Sequence, residues 1–265
     1  MNHLRIILLG IIISVGAGLC FNPAVAAEQA GVPVLAYHRF GPTVADSMTV
    51  TTEVFESQIK WLIANQYTVI PLQTLIDYLR GKGPAPAHNS VVITVDDGHN
   101  TVYSEMLPVV LKYKIPVTLF IYPSAISNAS YAMTWDQLKE LRQTGLFDIQ
   151  SHTFWHPNFK QEKRKLSAEE YQKLVDTQLQ KSKLVLEKRV GGRVDYLAWP
   201  FGIYDEWLGK QAEKAGYTAA FTIDRRNSGP TEELMALPRY LMANGDGTKG
   251  FEAIVTGRAE EKRSK

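Results

Sequence analysis

Cysteine is almost absent. Cys20 is the only one in 265 residues, and it lies in a segment expected to be removed. A mature chain without it has no disulfide to staple a small fold and no thiol nucleophile, so stability must come from an apolar core and chemistry from other side chains. A dominant charge is missing too. Lys and Arg total 29 against 27 Asp and Glu, a net charge of +2, which leaves no electrostatic footprint for nucleic acid. Histidine is sparse: there are six, and none follows His156. Beyond the N-terminal segment no apolar run is long enough to span a bilayer. No internal repeat, low-complexity tract or linker divides the rest, which is long enough for one large domain with a substantial core.

The N-terminal segment has its own pattern. Arg5 precedes an apolar run over residues 6–21, and Ala24-Val25-Ala26 supplies small residues at alternate positions. Charge, apolar run and small-x-small site in that order describe a secretory signal peptide cut after Ala26. The domain division that follows is signal over 1–26, a single large domain over 27–258 and a frayed basic tail over 259–265. The location implied is secreted or periplasmic, with no stable membrane span after cleavage.

From residue 32 onward, strands alternate with helices. Strands are expected over 32–37, 68–70, 91–95, 117–121, 147–151, 196–198 and 219–222. Helices are expected over 52–65, 72–80 and 104–113, from Thr134, over 167–188 and over 204–215. Thr134-Trp135-Asp136-Gln137 and Ser167-Ala168-Glu169-Glu170 both have the form of a capping box. This rhythm implies an α/β fold with a parallel sheet and helical crossovers. So many units in one domain favour a closed or nearly closed barrel.

Two motifs carry the chemistry. In Val91-Val92-Ile93-Thr94-Val95-Asp96-Asp97-Gly98 an apolar strand runs into paired carboxylates and a glycine. Side chains alternate along a strand, so one carboxylate can grip a metal while its neighbour faces substrate. Active sites gather at the C-terminal ends of parallel strands. An ordinary helix N-cap would also account for Asp-Asp-Gly by itself. In Ser151-His152-Thr153-Phe154-Trp155-His156-Pro157 two imidazoles stand four apart just past another strand, a spacing that on a helical turn lets both share a metal. Together the motifs offer Asp97, His152 and His156 as ligands of one divalent ion, with zinc first and cobalt, nickel or iron(II) as alternatives. Asp96 remains beside them as general base.

Thr94-Val95-Asp96-Asp97-Gly98 and His152-Thr153-Phe154-Trp155-His156 resemble the Thr-Phe-Asp-Asp-Gly and His-Ser/Thr-x-x-His motifs of the polysaccharide deacetylases, carbohydrate esterase family four. The resemblance runs from about residue 32 to 240. It implies a distorted (β/α)7-type barrel in a single domain. The implied activity is hydrolysis of acetyl groups on a polysaccharide substrate, with Asp96 taking a proton from the attacking water. A third family motif contains Arg and ends in Pro-Tyr. Here it reads Ala198-Trp199-Pro200-Phe201-Gly202, so Trp199, Pro200 and Phe201 are candidate sugar contacts and the arginine is missing.

Arg239, in Leu237-Pro238-Arg239, is the candidate replacement, pairing with Asp96. The family's C-terminal Leu-x-His, whose imidazole is the general acid, is also absent. His38, in Tyr37-His38 at the end of the first strand, is the candidate to take its place, because a closed barrel sets its first and last strands side by side. This arrangement resembles the branch that acts on poly-β-1,6-N-acetylglucosamine. The leading expectation is therefore removal of N-acetyl groups from an N-acetylglucosamine polymer. An O-acetyl esterase on xylan or a related glycan uses the same residues. A catalytically inactive glycan-binding barrel would need a broken ligand set. A nuclease or phosphatase is disfavoured by the lack of clustered Lys and Arg beside the motifs.

Overall fold

The computed structural model describes residues 31–258; the expected signal, 1–26, and the expected tail, 259–265, lie outside the described residues. The strands are β1 (Val34–Tyr37), β2 (Arg39–Gly41), β3 (Thr49–Thr51), β4 (Thr68–Val69), β5 (Ser90–Asp97), β6 (Val117–Ile121), β7 (Phe147–Ser151), β8 (Tyr196–Ala198), β9 (Ala219–Phe221) and β10 (Tyr240–Leu241). The helices are α1 (Thr52–Ala64), α2 (Leu72–Leu79), α3 (Leu107–Tyr113), α4 (Trp135–Gln143), α5 (Phe159–Lys165), α6 (Ala168–Asp176), α7 (Ser182–Val190), α8 (Glu206–Lys214) and α9 (Gly247–Val255).

The main sheet runs β10-β1-β5-β6-β7-β8-β9 with every neighbouring pair parallel, and β4 adds beside β5. Leu237 N donates to Ala220 O and Thr222 N to Leu237 O, both at 2.8 Å. The segment carrying β10 is thus bonded to β9 at its start and to β1 at its end, and the sheet curls into a distorted barrel. Strands covered on both faces read as continuous apolar runs, which is how β5 and β6 read.

Alternation sorts the side chains. Val34, Val92, Phe120, Tyr196, Ala198, Phe221 and Leu237 form the interior cluster, joined by Leu72, Leu75 and Ile76 of α2. The intervening residues Leu35, Tyr37, Ile93, Val95, Leu119, Ile121 and Leu197 face the helices. Each fully buried Val, Leu, Ile or Phe among them contributes about 1.5–3 kcal/mol of transfer free energy. The same parity decides which polar residues look into the barrel: Thr94 and Asp96 on β5, His38 just past β1 and His152 just past β7 continue the inward set.

Some expectations need correction. The long amphipathic helix expected over 167–188 is not continuous α-helix. The chain there is α6 and α7 joined by a π-helical stretch, Thr177–Lys181. A second π-helical stretch, Val102–Met106, precedes α3. Helices α5 and α9 and strands β2, β3 and β10 have no counterpart among the expected elements, because short, charged or glycine-containing segments show little periodicity.

Candidate active site

Asp96 is 2% exposed and is gripped by Arg239, whose two terminal nitrogens donate to Asp96 Oδ1 at 2.8 Å and Oδ2 at 2.7 Å. Arg239 is itself fully buried. Its Nε donates to Thr222 O at 3.1 Å and one terminal nitrogen also to Thr94 Oγ1 at 3.1 Å. The guanidinium lies over the Phe120 and Phe221 rings, 5.2 and 5.9 Å from their centroids. The structure therefore brings Arg239 onto Asp96 from the closing segment of the barrel, a fork-to-fork geometry that fixes the carboxylate plane. Burial alone would raise the Asp96 carboxyl. The Arg239 guanidinium, with His152 and His38, outweighs it and holds the group well below the usual carboxylate range.

Strict alternation would send Asp97 outward with Val95. Its backbone is instead left-handed, φ 73°, followed by Gly98 at φ 81°. The turn brings Asp97 Oδ1 to 3.6 Å from His152 Nε2 and 3.7 Å from His156 Nε2. Gly98 is required twice over: a Cβ there would meet the Ile121 and Ile126 Cδ1 atoms at 3.0 and 3.1 Å, and its φ is one that side chains rarely adopt.

His152 follows β7, its N–H bonded to Ile121 O at 2.8 Å and its Nδ1 2.7 Å from Ala198 O. That contact makes Nδ1 the donor, leaving Nε2 as the lone-pair nitrogen aimed at Asp97. Burial pushes the imidazole down to about 3, so it is neutral at ordinary pH. Burial also lowers His156. The two histidines do not share a helical turn as expected. Residues 152–157 form a loop in which Thr153 and His156 are left-handed, φ 65° and 64°. Left-handed non-glycine residues are uncommon, and their concentration around one cluster marks a functional site.

Asp97, His152 and His156 each offer a ligand atom within 4.8 Å of the others. Donors about 2.0–2.2 Å from one ion stand roughly 3–3.5 Å apart, close to the separations found. One hard carboxylate oxygen and two neutral imidazole nitrogens suit a divalent transition metal. The donor set fits such an ion. Burial, with Asp96 adding, raises the Asp97 carboxyl, and a bound cation acts against that rise.

His38 is 8% exposed, and its Nδ1 has no hydrogen-bond partner among the described residues. Burial lowers its pKa, with Asp96 and Asp97 opposing. The Tyr37–Val95 register sets it level with Asp96 at the same end of the barrel, and parity turns it inward.

The sugar-contact expectations fare differently. Trp199 is 0% exposed and donates its Nε1–H to Met235 O at 2.9 Å, and Pro200 is buried as well. Alternation explains the correction. Ala198 faces inward, so Trp199 faces the helical layer, where it packs on Phe159 and Tyr204. Phe201, 55% exposed and left-handed at φ 58°, remains at the rim with its ring 4.6 Å from that of His156. The Tyr122 ring stands 5.4 Å from that of His156.

Gln178 is not among the expected site residues. Fully buried, it accepts from Phe154 N at 3.1 Å and Trp155 N at 2.9 Å. The available signal was a polar residue in the buried stripe that includes Tyr171, Val175, Leu179 and Leu186.

An ion-paired carboxylate beside an Asp–His–His cluster, at the C-terminal mouth of a parallel barrel, defines a hydrolase site. Comparison with known proteins places it further. The polysaccharide deacetylase family model matches residues 83–220. A poly-beta-1,6-N-acetyl-D-glucosamine N-deacetylase of Staphylococcus epidermidis is 30% identical over 211 residues, 78% of this chain and 71% of that protein. Among solved structures, the Streptococcus pyogenes deacetylase PplD in complex with acetate superposes with a TM-score of 0.76 at 21% identity, covering 86% of this chain and 99% of the other. IcaB from Ammonifex degensii gives 0.73 at 23% identity, covering 86% and 97%. These two likenesses establish the fold. The chain belongs to the polysaccharide deacetylase family.

Proposed function

We propose that this protein is a metal-dependent N-deacetylase, acting outside the cytoplasm on an N-acetylglucosamine polymer of the poly-β-1,6-linked kind. The observation that carries the reading is the meeting of Asp97, His152 and His156 beside an Asp96 held ionised by Arg239. The named activity of the Staphylococcus epidermidis relative supports the choice of substrate, and the signal pattern over residues 1–26 supports export.

In this reading Asp97, His152 and His156 hold the divalent ion, which supplies positive charge to polarise the acetamide carbonyl and the attacking water. Asp96 stays unliganded and accepts the water proton at a carboxylate oxygen. Arg239 positions Asp96 by two hydrogen bonds and keeps it ionised, at the expense of some basicity. His38 gives a proton to the leaving amine. Nothing among the described residues ties its Nδ1 to backbone, as a purely structural histidine would require. Phe201 offers a ring face to the sugar at the rim.

Acetate release from poly-β-1,6-N-acetylglucosamine, chitin oligomers, peptidoglycan and acetylated xylan, each with and without chelator, tests the reading. Chelator-sensitive release from the first substrate is expected. Release from xylan alone would make the protein an O-acetyl esterase, and binding without release from any substrate would make it an inactive glycan-binding barrel.

A further inference from the structure

The loop that carries both histidines has no regular secondary structure to absorb its amide groups, and each unpaired buried N–H is costly. Every amide from 152 to 156 is nonetheless paired. His152 N reaches Ile121 O at 2.8 Å. Thr153 N reaches Ser151 Oγ at 3.2 Å, and His156 N reaches Thr153 Oγ1 at 3.2 Å. The remaining two, Phe154 N and Trp155 N, converge on the single oxygen Gln178 Oε1.

Gln178 lies in the π-helical stretch Thr177–Lys181, and such stretches recur at functional sites. The chain is anchored within a turn after the glutamine. Tyr217 donates its hydroxyl to Leu179 O at 2.9 Å, and Ser182 Oγ lies 2.8 Å from Ser151 Oγ at the end of β7. Gln178 is 0% exposed, and its Nε2 has no partner among the described residues. A buried amide that gives its acceptor to two adjacent loop N–H groups and leaves its own donor unpaired is held for the loop, not for its own satisfaction.

We propose that Gln178 is a positioning residue that sets the reach of His156 toward Asp97 and His152, and so governs how tightly the site holds a divalent ion. The inference rests on the assignment of those three residues as ligands. Phe154 and Trp155 lie directly between the two histidines in sequence. Fixing their amides fixes the span that separates the imidazoles, and Thr153 closes the turn from inside. Among the described residues, Gln178 is the one from the helical layer that bonds these amides directly.

The test uses the full chain stripped of metal, with zinc affinity read by competition against a chromophoric chelator at 25 °C and the Tm of the metal-free protein read alongside. Gln178→Leu removes the acceptor at similar volume, and its zinc affinity should fall about 10- to 100-fold. Gln178→Glu keeps an oxygen in place for both N–H groups and should stay within about threefold of wild type. If the leucine variant does not fold, Gln178→Asn withdraws the oxygen by one methylene, keeps an amide, and must weaken zinc in the same way. Unchanged affinity at 25 °C in a folded leucine or asparagine variant, even with a lowered Tm, overturns the proposal, because a merely structural glutamine would give that result. Equal loss in the glutamate and leucine variants overturns it as well. Asp97→Ala and His152→Ala run beside these variants: if both keep wild-type zinc affinity, the ligand assignment itself is wrong and the proposal falls with it.

Discussion

Asp96 and Asp97 are adjacent and identical in type, yet their surroundings separate them. Asp96 follows strand parity into the barrel and meets a fixed guanidinium. Asp97 leaves parity through a left-handed turn and meets two neutral imidazoles. Asp96→Asn should therefore keep zinc within a few fold of wild type while kcat falls by about 10²–10⁴. His152→Ala should lose both. Metal content by elemental analysis and acetate release check the pair, and full activity in Asp96→Asn would remove it as the base. Arg239 gives a second residue-scale outcome. Replacing it with Met leaves a buried carboxylate without its partner, a loss of about 3–5 kcal/mol in urea unfolding at neutral pH. The sign with pH is informative. In the wild type the Asp96 pKa is depressed in the folded state, so its stabilisation is present above the unfolded value near 4 and is lost as pH falls. In Arg239→Met burial dominates, the folded pKa rises, and the deficit against wild type should shrink on acidification. A deficit independent of pH would mean that the guanidinium acts by packing alone.

At the scale of the element, the turn after β5 decides whether the two carboxylates part company. Gly98→Ala places a methyl against Ile121 and Ile126 at a φ of +81°. A loss of about 1–3 kcal/mol in chemical denaturation is expected, with weaker zinc binding because Asp97 is next in the chain. Wild-type stability in that variant would show that the turn relaxes freely. Strand existence was legible for the longer strands: continuous Val and Ile before Asp96, and Val117 to Ile121, announce buried parallel strands, whereas the two- and three-residue β2, β3 and β10 carry no such run. Direction at strand ends was legible only in part. The parity that points Asp96 and His152 inward also sends Trp199 into the helical layer, but this can be counted only once Ala198 is known to face the interior. The π-helical stretch that presents Gln178 was not legible, since its sequence continues an ordinary amphipathic pattern.

For the whole molecule, several imidazoles buried at one mouth couple stability to pH. Burial lowers His38, His152 and His156, with His152 down to about 3. A histidine whose folded pKa lies below its unfolded value near 6.5 costs nothing above that value. It destabilises progressively as pH falls, because the unfolded chain takes the proton first. The metal-free protein should thus lose stability between about pH 6.5 and 4, at up to about 1.4 kcal/mol per pH unit for each fully buried imidazole. Urea midpoints across that range measure it, and His152→Asn should flatten the slope. A flat profile in the wild type would mean that these rings protonate within the fold.

The amino-acid sequence alone determined the main alternation of strands and helices, the chemical identity of the cluster and its place just past apolar strands, because burial and alternation are properties of neighbouring residues. Closure was decided only in three dimensions. Arg239 reaches Asp96 because the segment from Leu237 to Leu241 bonds β9 at one end and β1 at the other. His38 faces the same mouth because β1 lies in register between β10 and β5. Contacts between residues so far apart along the chain depend on how the sheet curls, a global balance of twist and packing that no local pattern records.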